Sequence, residues 1–408
     1  MKTIRVTFPN ASGHMLSGRL EMPVDGKPHA YALFAHCFTC TKNLTAISNI
    51  ARTMSLMGIA VLRFDFTGLG DSEGEFDESG FSSNVSDLVS ACKFLEKEYS
   101  APDIAVGHSL GGTAVLMAAK SLHSLKAIVT IGSPFDPAHV KHLIQPALSS
   151  VEAEGTAMVN IGGKPFPISR EFVEELDAYD PEASIAQLDK ALLILHSPQD
   201  RVVSIDNAAA IYKTARHPKS FVSLDGTDHL LSDKKDSQYT GELIASWVKR
   251  YITIPAPEPI NAIKRVAARI GPDALTTEIQ AGRHSLLSDE PEEVGGLELG
   301  PTPYDLVVAG LGACTAMTLR LYADRKKWPL TNVLVHLSHK KIHEVDSENP
   351  DKKALLDHIW REIELEGDLT DEQRERLLEI AEKCPVHKTL HQRVEIVSKL
   401  LPPSQNEG

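Results

Sequence analysis

The chain has 408 residues, long for one hydrophobic core, so two domains are the default expectation. Its 42% hydrophobic and 24% charged content is that of a globular protein. The net charge of −13 divides almost evenly, −6 up to residue 253 (23 basic, 29 acidic) and −7 after it (19 basic, 26 acidic). Neither half is basic, which argues against nucleic acid as a partner.

Residues 1–7 alternate polar and apolar as a strand does and lack the apolar core of a signal peptide. No apolar run approaches the ~20 residues that span a bilayer, so the expectation is a cytoplasmic protein with no membrane partner. Five cysteines at wide spacings do not make a secreted disulfide framework, and each is judged as a thiol. Residues 4–8 and 16–22 read as an antiparallel strand pair. The continuous apolar run 30–35 is the mark of a strand buried on both faces. In the loop after it, Cys37 and Cys40 form a Cys-x-x-Cys. No second such pair or nearby His-x-His completes a metal site, so no metal is expected and the reading is two packing thiols. A helix at 43–57, a buried strand at 60–64 and a Gly-punctuated turn at 65–72 follow. That turn is either a pocket wall or a plain surface turn.

After a helix at 85–97, the apolar run 104–106 leads into Gly107-His108-Ser109-Leu110-Gly111, and an Ala-, Leu- and Met-rich helix follows. A serine on so tight a strand-to-helix turn has a strained backbone that its flanking glycines permit. Its hydroxyl stands above the sheet edge, and the helix aims free N–H groups at the same spot. Ser109 is therefore the candidate nucleophile and the Leu110 N–H one oxyanion donor; the loop after the third strand is expected to supply the second, at Phe38. Another buried strand at 127–131 continues an alternation of strands and helices that means a parallel sheet covered on both sides. From about 135 to 190 the pattern breaks into a Pro-rich stretch with a Gly162-Gly163 turn, read as an irregular cap over the carboxyl ends of the strands.

The sheet resumes at 191–195, and the turn after it carries Asp200. A strand at 220–224 ends in Asp225-Gly226-Thr227-Asp228-His229. A serine hydroxyl needs a base in contact, and that base needs an acid to hold its tautomer. Ser109, His229 and Asp200 fill those roles, with Asp206, Asp225 and Asp228 as rival acids less well placed. Residues 1–253 thus resemble the α/β-hydrolase superfamily, by the elbow, the strand count and the order Ser, Asp, His. The resemblance implies an α/β sheet with a cap and hydrolysis of a small-molecule ester through an acyl-enzyme, with no cofactor.

Residues 254–259, with three prolines in six, read as a linker to a smaller α+β domain at 260–403. Expected there are strands at 266–270, 275–281 and 284–287, and then a helix capped by Thr302, with Pro303 in its first turn. That helix is apolar almost all round and so should be buried, by this chain or by another subunit. Strands at 332–343 and 358–366, a helix capped by Thr370 and a last strand at 393–400 follow. Gly300-Pro301-Thr302-Pro303-Tyr304-Asp305-Leu306, Gly312-Ala313-Cys314-Thr315 and Cys384-Pro385-Val386-His387-Lys388-Thr389-Leu390 resemble the OsmC/Ohr family of thiol peroxidases.

That resemblance implies a homodimer with the thiols near its interface, Cys314 as peroxidatic and Cys384 as resolving thiol. It also implies Arg283 as the cation beside the thiolate, and an organic hydroperoxide and a dithiol reductant as partners. Several family members carry a glutamate where this chain has Tyr304, which leaves Asp305 as the candidate to hold the arginine. Two readings follow: a serine esterase joined to a hydroperoxide reductase, or an esterase whose second domain is a non-catalytic dimerisation scaffold.

Overall fold

The computed structural model describes residues 2–37, 40–76, 80–161, 164–255, 260, 262–272, 275–345 and 353–402. The chain divides into two units, Met1–Glu258 and Pro259–Gly408. Most of the predicted linker, residues 256–259, lies outside the described residues, as does the Gly162-Gly163 turn.

The first unit is built on one eight-stranded sheet. Its strands are β1 (Lys2–Pro9), β2 (Met15–Met22), β3 (Ala30–Ala35), β4 (Ile59–Phe64), β5 (Ile104–His108) and β6 (Ala127–Ile131). After an insertion with its own hairpin, β7 (Thr156–Ile161) and β8 (Lys164–Ser169), come β9 (Ala191–His196) and β10 (Lys219–Ser223). The order across the sheet is β1-β2-β4-β3-β5-β6-β9-β10. β2 runs antiparallel to both its neighbours, and every other adjacent pair is parallel.

The unbroken apolar runs of β3 to β6 are explained by burial on both faces. Leu33, Leu62, Ala105 and Ile128 point into one core, packed by α2 (Phe81–Glu98) and α3 (Leu110–Ala118). Their neighbours Phe34, Val61, Val106 and Val129 point into the other, under α1 (Thr45–Leu56) and α9 (Lys234–Val248). The stretch expected to be an irregular cap is more regular than that. It holds α4 (Lys141–Ile144), α5 (Leu148–Glu154), α6 (Arg170–Leu176) and α7 (Pro181–Ala186) besides the hairpin, and α8 (Asp206–Thr214) follows β9. Asp136, Ser169 and Asp180 cap its turns, so side-chain oxygens satisfy backbone donors that prolines and short helices leave free.

Two expectations for this unit are corrected or decided. Cys37 and Cys40 are not packing thiols but are joined by a disulfide, because the turn they close brings the Cys40 N–H to the Cys37 carbonyl at 3.1 Å. The 65–72 turn is no plain surface turn, since Asp65 is fully buried. Its carboxylate accepts from the Lys42 N–H (2.6 Å), the Lys42 ammonium and the Asp71 N–H (2.9 Å). Arg63, held by Glu21 at 2.6 Å, donates to the Lys42 carbonyl. This buried charge network fixes the far end of the loop that follows β3.

The second unit has a three-stranded antiparallel sheet, β11 (Val266–Ile270), β12 (Thr277–Ala281) and β13 (His284–Ser288), and a long hairpin, β14 (Leu330–Val345) and β15 (Lys353–Gly367). Its helices are α10 (Pro303–Lys326), α11 (Asp371–Ala381) and α12 (Pro385–His391). Thr302 with Asp305, and Thr370 with Gln373, form reciprocal capping boxes. The core gathers Leu319, Ala323, Leu330, Leu377 and Ile380.

Within one chain α10 is buried on one face only. Val308, Leu311, Thr315, Leu319 and Ala323 face inward while Val307, Met317 and Leu321 are exposed within this one chain. By length and mean hydropathy, 1.5 over an 18-residue window, α10 would also pass for a membrane span, where the apolar runs of the sequence suggested none. Residues 393–400 form no strand. Val394, Ile396, Val397 and Leu400 stand exposed, and the segment pairs with no strand among the described residues.

Candidate active site

The elbow is built by close approach of backbones. A side chain at Gly107 would strike Gly111 and Gly112, and one at Gly111 would strike the carbonyls of Ala35 and His36, so only hydrogen fits at either place. Between them Ser109 is driven to φ 55°, ψ −131°, in the region non-glycine residues avoid. Its N–H is held by the Ile131 carbonyl at 2.8 Å. Leu110 then starts α3, whose first N–H groups have no partner within the helix.

Ser109, His229 and Asp200 are brought together. His229 Nε2 lies 3.0 Å from Ser109 Oγ, and its Nδ1 lies 2.7 Å from Asp200 Oδ2. The other Asp200 oxygen accepts the N–H groups of Val202 (2.8 Å) and Val203 (2.9 Å). Burial pushes the Asp200 carboxyl up, but the bonds from His229, Val203 and Val202 outweigh it and hold it below the usual carboxylate range. An ionised Asp200 accepts the proton on Nδ1 and leaves Nε2 free to accept from the serine. The rival acids are engaged elsewhere: Asp206 with Ser204, Asp225 with Ser223 and Asp228 with Ser232.

Three residues that sequence reasoning missed support this chain of bonds. His108, inside the elbow motif, donates from Nε2 to the His229 carbonyl at 2.7 Å, and His196 at the end of β9 donates to the Val203 carbonyl at 2.8 Å. The two rings tie the loops of the base and the acid to the strand ends. Burial, reinforced by nearby His229, lowers His108 to about 4, and burial lowers His196 as well. Gly132, at φ 53°, passes so close that a side chain there would lie 3.2 Å from Asp200 Oδ2 and 3.4 Å from His229 Nδ1. The sequence signal for all three is only position at a strand end, which does not tell where a ring points.

Beside the elbow lies a pocket walled by His36, Cys37, Leu110 and Gly111, with Phe66, Phe76 and Phe172 from α6 closing its apolar side. The cap is tied down there by Glu175, which accepts from the Ser82 N–H (3.0 Å) and hydroxyl (2.8 Å). The second expected oxyanion donor, Phe38, lies outside the described residues.

In the second unit Cys314 and Cys384 are also brought together, thiol to thiol, with Thr315 bonded to Cys384. Burial and its bond to Cys384 push the Cys314 thiol up. Cys384 is buried too, but the bonds from Cys314 and from the His387 and Val386 N–H groups outweigh burial and lower it. Arg283 is not brought to them: it stands exposed in the turn between β12 and β13, with no bond to either thiol among the described residues. Asp305 is committed to its capping box and Tyr304 stacks on His339 at 4.1 Å, so neither holds Arg283. Arg361 donates to Oγ1 of Thr315, the residue bonded to Cys384, at 3.2 Å. Among the described residues no cluster of His, Cys, Asp and Glu could hold a metal.

Comparison with known proteins gives two successive family matches. Residues 32–297 match the family described as "Alpha/beta hydrolase family", and residues 295–399 match that described as "OsmC-like protein". The esterase domain of a Rhodothermus marinus protein, a solved structure, is 49% identical, with a TM-score of 0.53 over 62% of this chain and 100% of that one. A putative hydrolase from Agrobacterium vitis S4 shares the fold at 18% identity, with a TM-score of 0.51 over 61% of this chain and 99% of that one. The uncharacterized protein YfhR of Salmonella typhi is 23% identical over 229 residues, 55% of this chain and 74% of its own length.

Because folded His108 titrates at about 4 against about 6.5 in an unfolded chain, the unfolded state takes up a proton the folded state refuses as the pH falls. Stability should fall between about pH 6.5 and 4, and this group alone contributes about 3 kcal/mol of that loss. Urea unfolding at pH 7 and pH 4.5 should show a smaller acid loss for His108→Gln than for wild type. Equal losses would contradict the assignment.

Proposed function

Because the chain belongs to the alpha/beta hydrolase family and carries an OsmC-like domain after it, we propose that its first unit is a serine esterase acting on a small-molecule carboxylic ester. The observation that carries this reading is the unbroken bond sequence from Ser109 Oγ through His229 to Asp200, at 3.0 and 2.7 Å. His229 Nε2 takes the serine proton as Oγ attacks the ester carbonyl. The resulting oxyanion is met by the Leu110 N–H, with Phe38 the expected second donor. Asp200 stabilises the imidazolium, which then protonates the departing alkoxide, and water repeats the sequence to free the acid. The Rhodothermus marinus relative is itself described as an esterase domain, which supports the same reading.

Hydrolysis of a short-chain p-nitrophenyl ester should lose kcat by roughly 10⁴-fold or more in Ser109→Ala, and be unchanged in Cys314→Ser. Retention of activity in Ser109→Ala would remove the proposal.

For the second unit we propose hydroperoxide reduction by the Cys314 and Cys384 pair. One thiolate attacks the peroxide O–O bond, releasing an alcohol and becoming a sulfenic acid; the other thiol condenses with it to a disulfide and water, and a dithiol reductant restores both. Contact between the two sulfurs supports this, and attack by either leads to the same disulfide. The exposed apolar faces of α10 and of residues 393–400 are what a second copy would cover, in the homodimer the family resemblance implies.

With three free cysteines, Cys92, Cys314 and Cys384, one equivalent of organic hydroperoxide should leave a single thiol titratable in denaturant, on a species of twice 44.5 kDa by light scattering. A monomer, or three thiols after peroxide, would contradict the respective part. The second outcome would leave the unit as a scaffold.

A further inference from the structure

We propose that the Cys37–Cys40 disulfide is a reversible redox modification site that sets the rate of hydrolysis at Ser109, with a small dithiol as its reductant; this rests on the esterase reading above. Cys37 is 5% exposed and forms part of the pocket wall next to Leu110 and Gly111. Its carbonyl is held by His36 Nδ1 at 2.9 Å, and the His36 carbonyl in turn lies against Gly111, where only a hydrogen fits. The position of Cys37 is therefore coupled, through the ring and the carbonyl of His36, to the turn that carries Ser109.

The loop is anchored at both ends independently of the disulfide. Before it, β3 is locked in mid-sheet; after it, Lys42 is 2% exposed and bonded through its N–H, ammonium and carbonyl to Asp65, Asp71 and Arg63. A disulfide closing so short a loop between fixed points removes less unfolded-chain entropy than a long-range one. Its effect is local: it holds the Cys37 wall, and breaking it loosens that wall while β3 and the Lys42 network keep the domain folded.

The two sulfurs also differ in access. Cys40 is half-buried and Cys37 buried, so an incoming thiolate attacks Cys40 and expels Cys37 as thiolate. The second thiol of the reductant, as thiolate, then displaces Cys40 from the mixed disulfide, and the two protein thiolates take up two protons. One dithiol becomes one cyclic disulfide, and one protein disulfide becomes two thiols. The third cysteine of this unit, Cys92, is bonded to Ser124 and contributes nothing to the exchange.

The full chain is treated with dithiothreitol under native conditions, alkylated, and mapped for the peptide spanning residues 28–42. The kcat for a p-nitrophenyl ester is measured in the oxidised, reduced and glutathione-disulfide reoxidised forms. The expected result is two alkylated cysteines in the reduced form, a kcat lowered at least fivefold, recovery on reoxidation, and an unchanged far-UV spectrum. Cys40→Ser should stay at the reduced rate and ignore the reductant. A disulfide that resists the dithiol, or a kcat equal within twofold in forms of verified redox state, would overturn the proposal. Ser109→Ala is run in parallel: hydrolysis surviving that change would sink the serine reading, while the oxidised-to-reduced rate ratio of the wild type still decides the redox one.

Discussion

The approach of three backbones at one point governs this molecule. The strand β5, the start of α3 and the end of β3 meet where Gly107 and Gly111 lack side chains, and the space left over forces Ser109 to a positive φ. A strained residue persists only where its surroundings over-determine it. Here they do: both faces of β5 are buried, and Ser109 is bonded through its own N–H to Ile131. The hydrolase unit can be viewed as the packing needed to keep that turn from relaxing.

Around this point the chain uses buried polar groups that make sense only as positioning devices. Lys42, Arg63, Glu21 and Asp65 are almost fully buried, where an isolated charge would cost far more than a pair returns. They are paired and hydrogen-bonded throughout, and together they hold Lys42 at the end of the loop after β3. His108 and His196 hold the loops of His229 and Asp200 as neutral donors, each leaving Nδ1 without a partner among the described residues. Their burial keeps them from competing with His229 for the proton on which the proposed chemistry depends.

Much of the hydrolase unit was legible in the sequence because its signals are local. A continuous apolar run means a strand covered on both faces, and a serine between glycines at a strand-to-helix turn marks a backbone too crowded for side chains on either side of it. The order Ser109, Asp200, His229 added what no single motif supplies. Less legible was whatever depends on a partner distant in sequence. A Cys-x-x-Cys looks the same as thiols or as a disulfide, and Asp65 looks like any turn aspartate until Lys42 is placed on it. In the second unit the capping boxes were legible, whereas residues 393–400 have a strand's composition but pair with no strand among the described residues. Arg283 matches a motif yet stands exposed in the turn between β12 and β13, with no bond to the thiols among the described residues. Periodicity marked α10 as apolar but could not say which half of its surface this chain would leave open.

Everything proposed for the hydrolase unit requires Ser109 to be an activated nucleophile, by virtue of His229 and the turn that presents it. Intact-mass analysis after exposure to a fluorophosphonate probes this without knowledge of the natural ester, because it reads covalent capture alone. One adduct per chain is expected, mapped to Ser109, with capture lost in His229→Ala. An unlabelled wild type, or an adduct on another residue, would show that Ser109 is not the activated nucleophile.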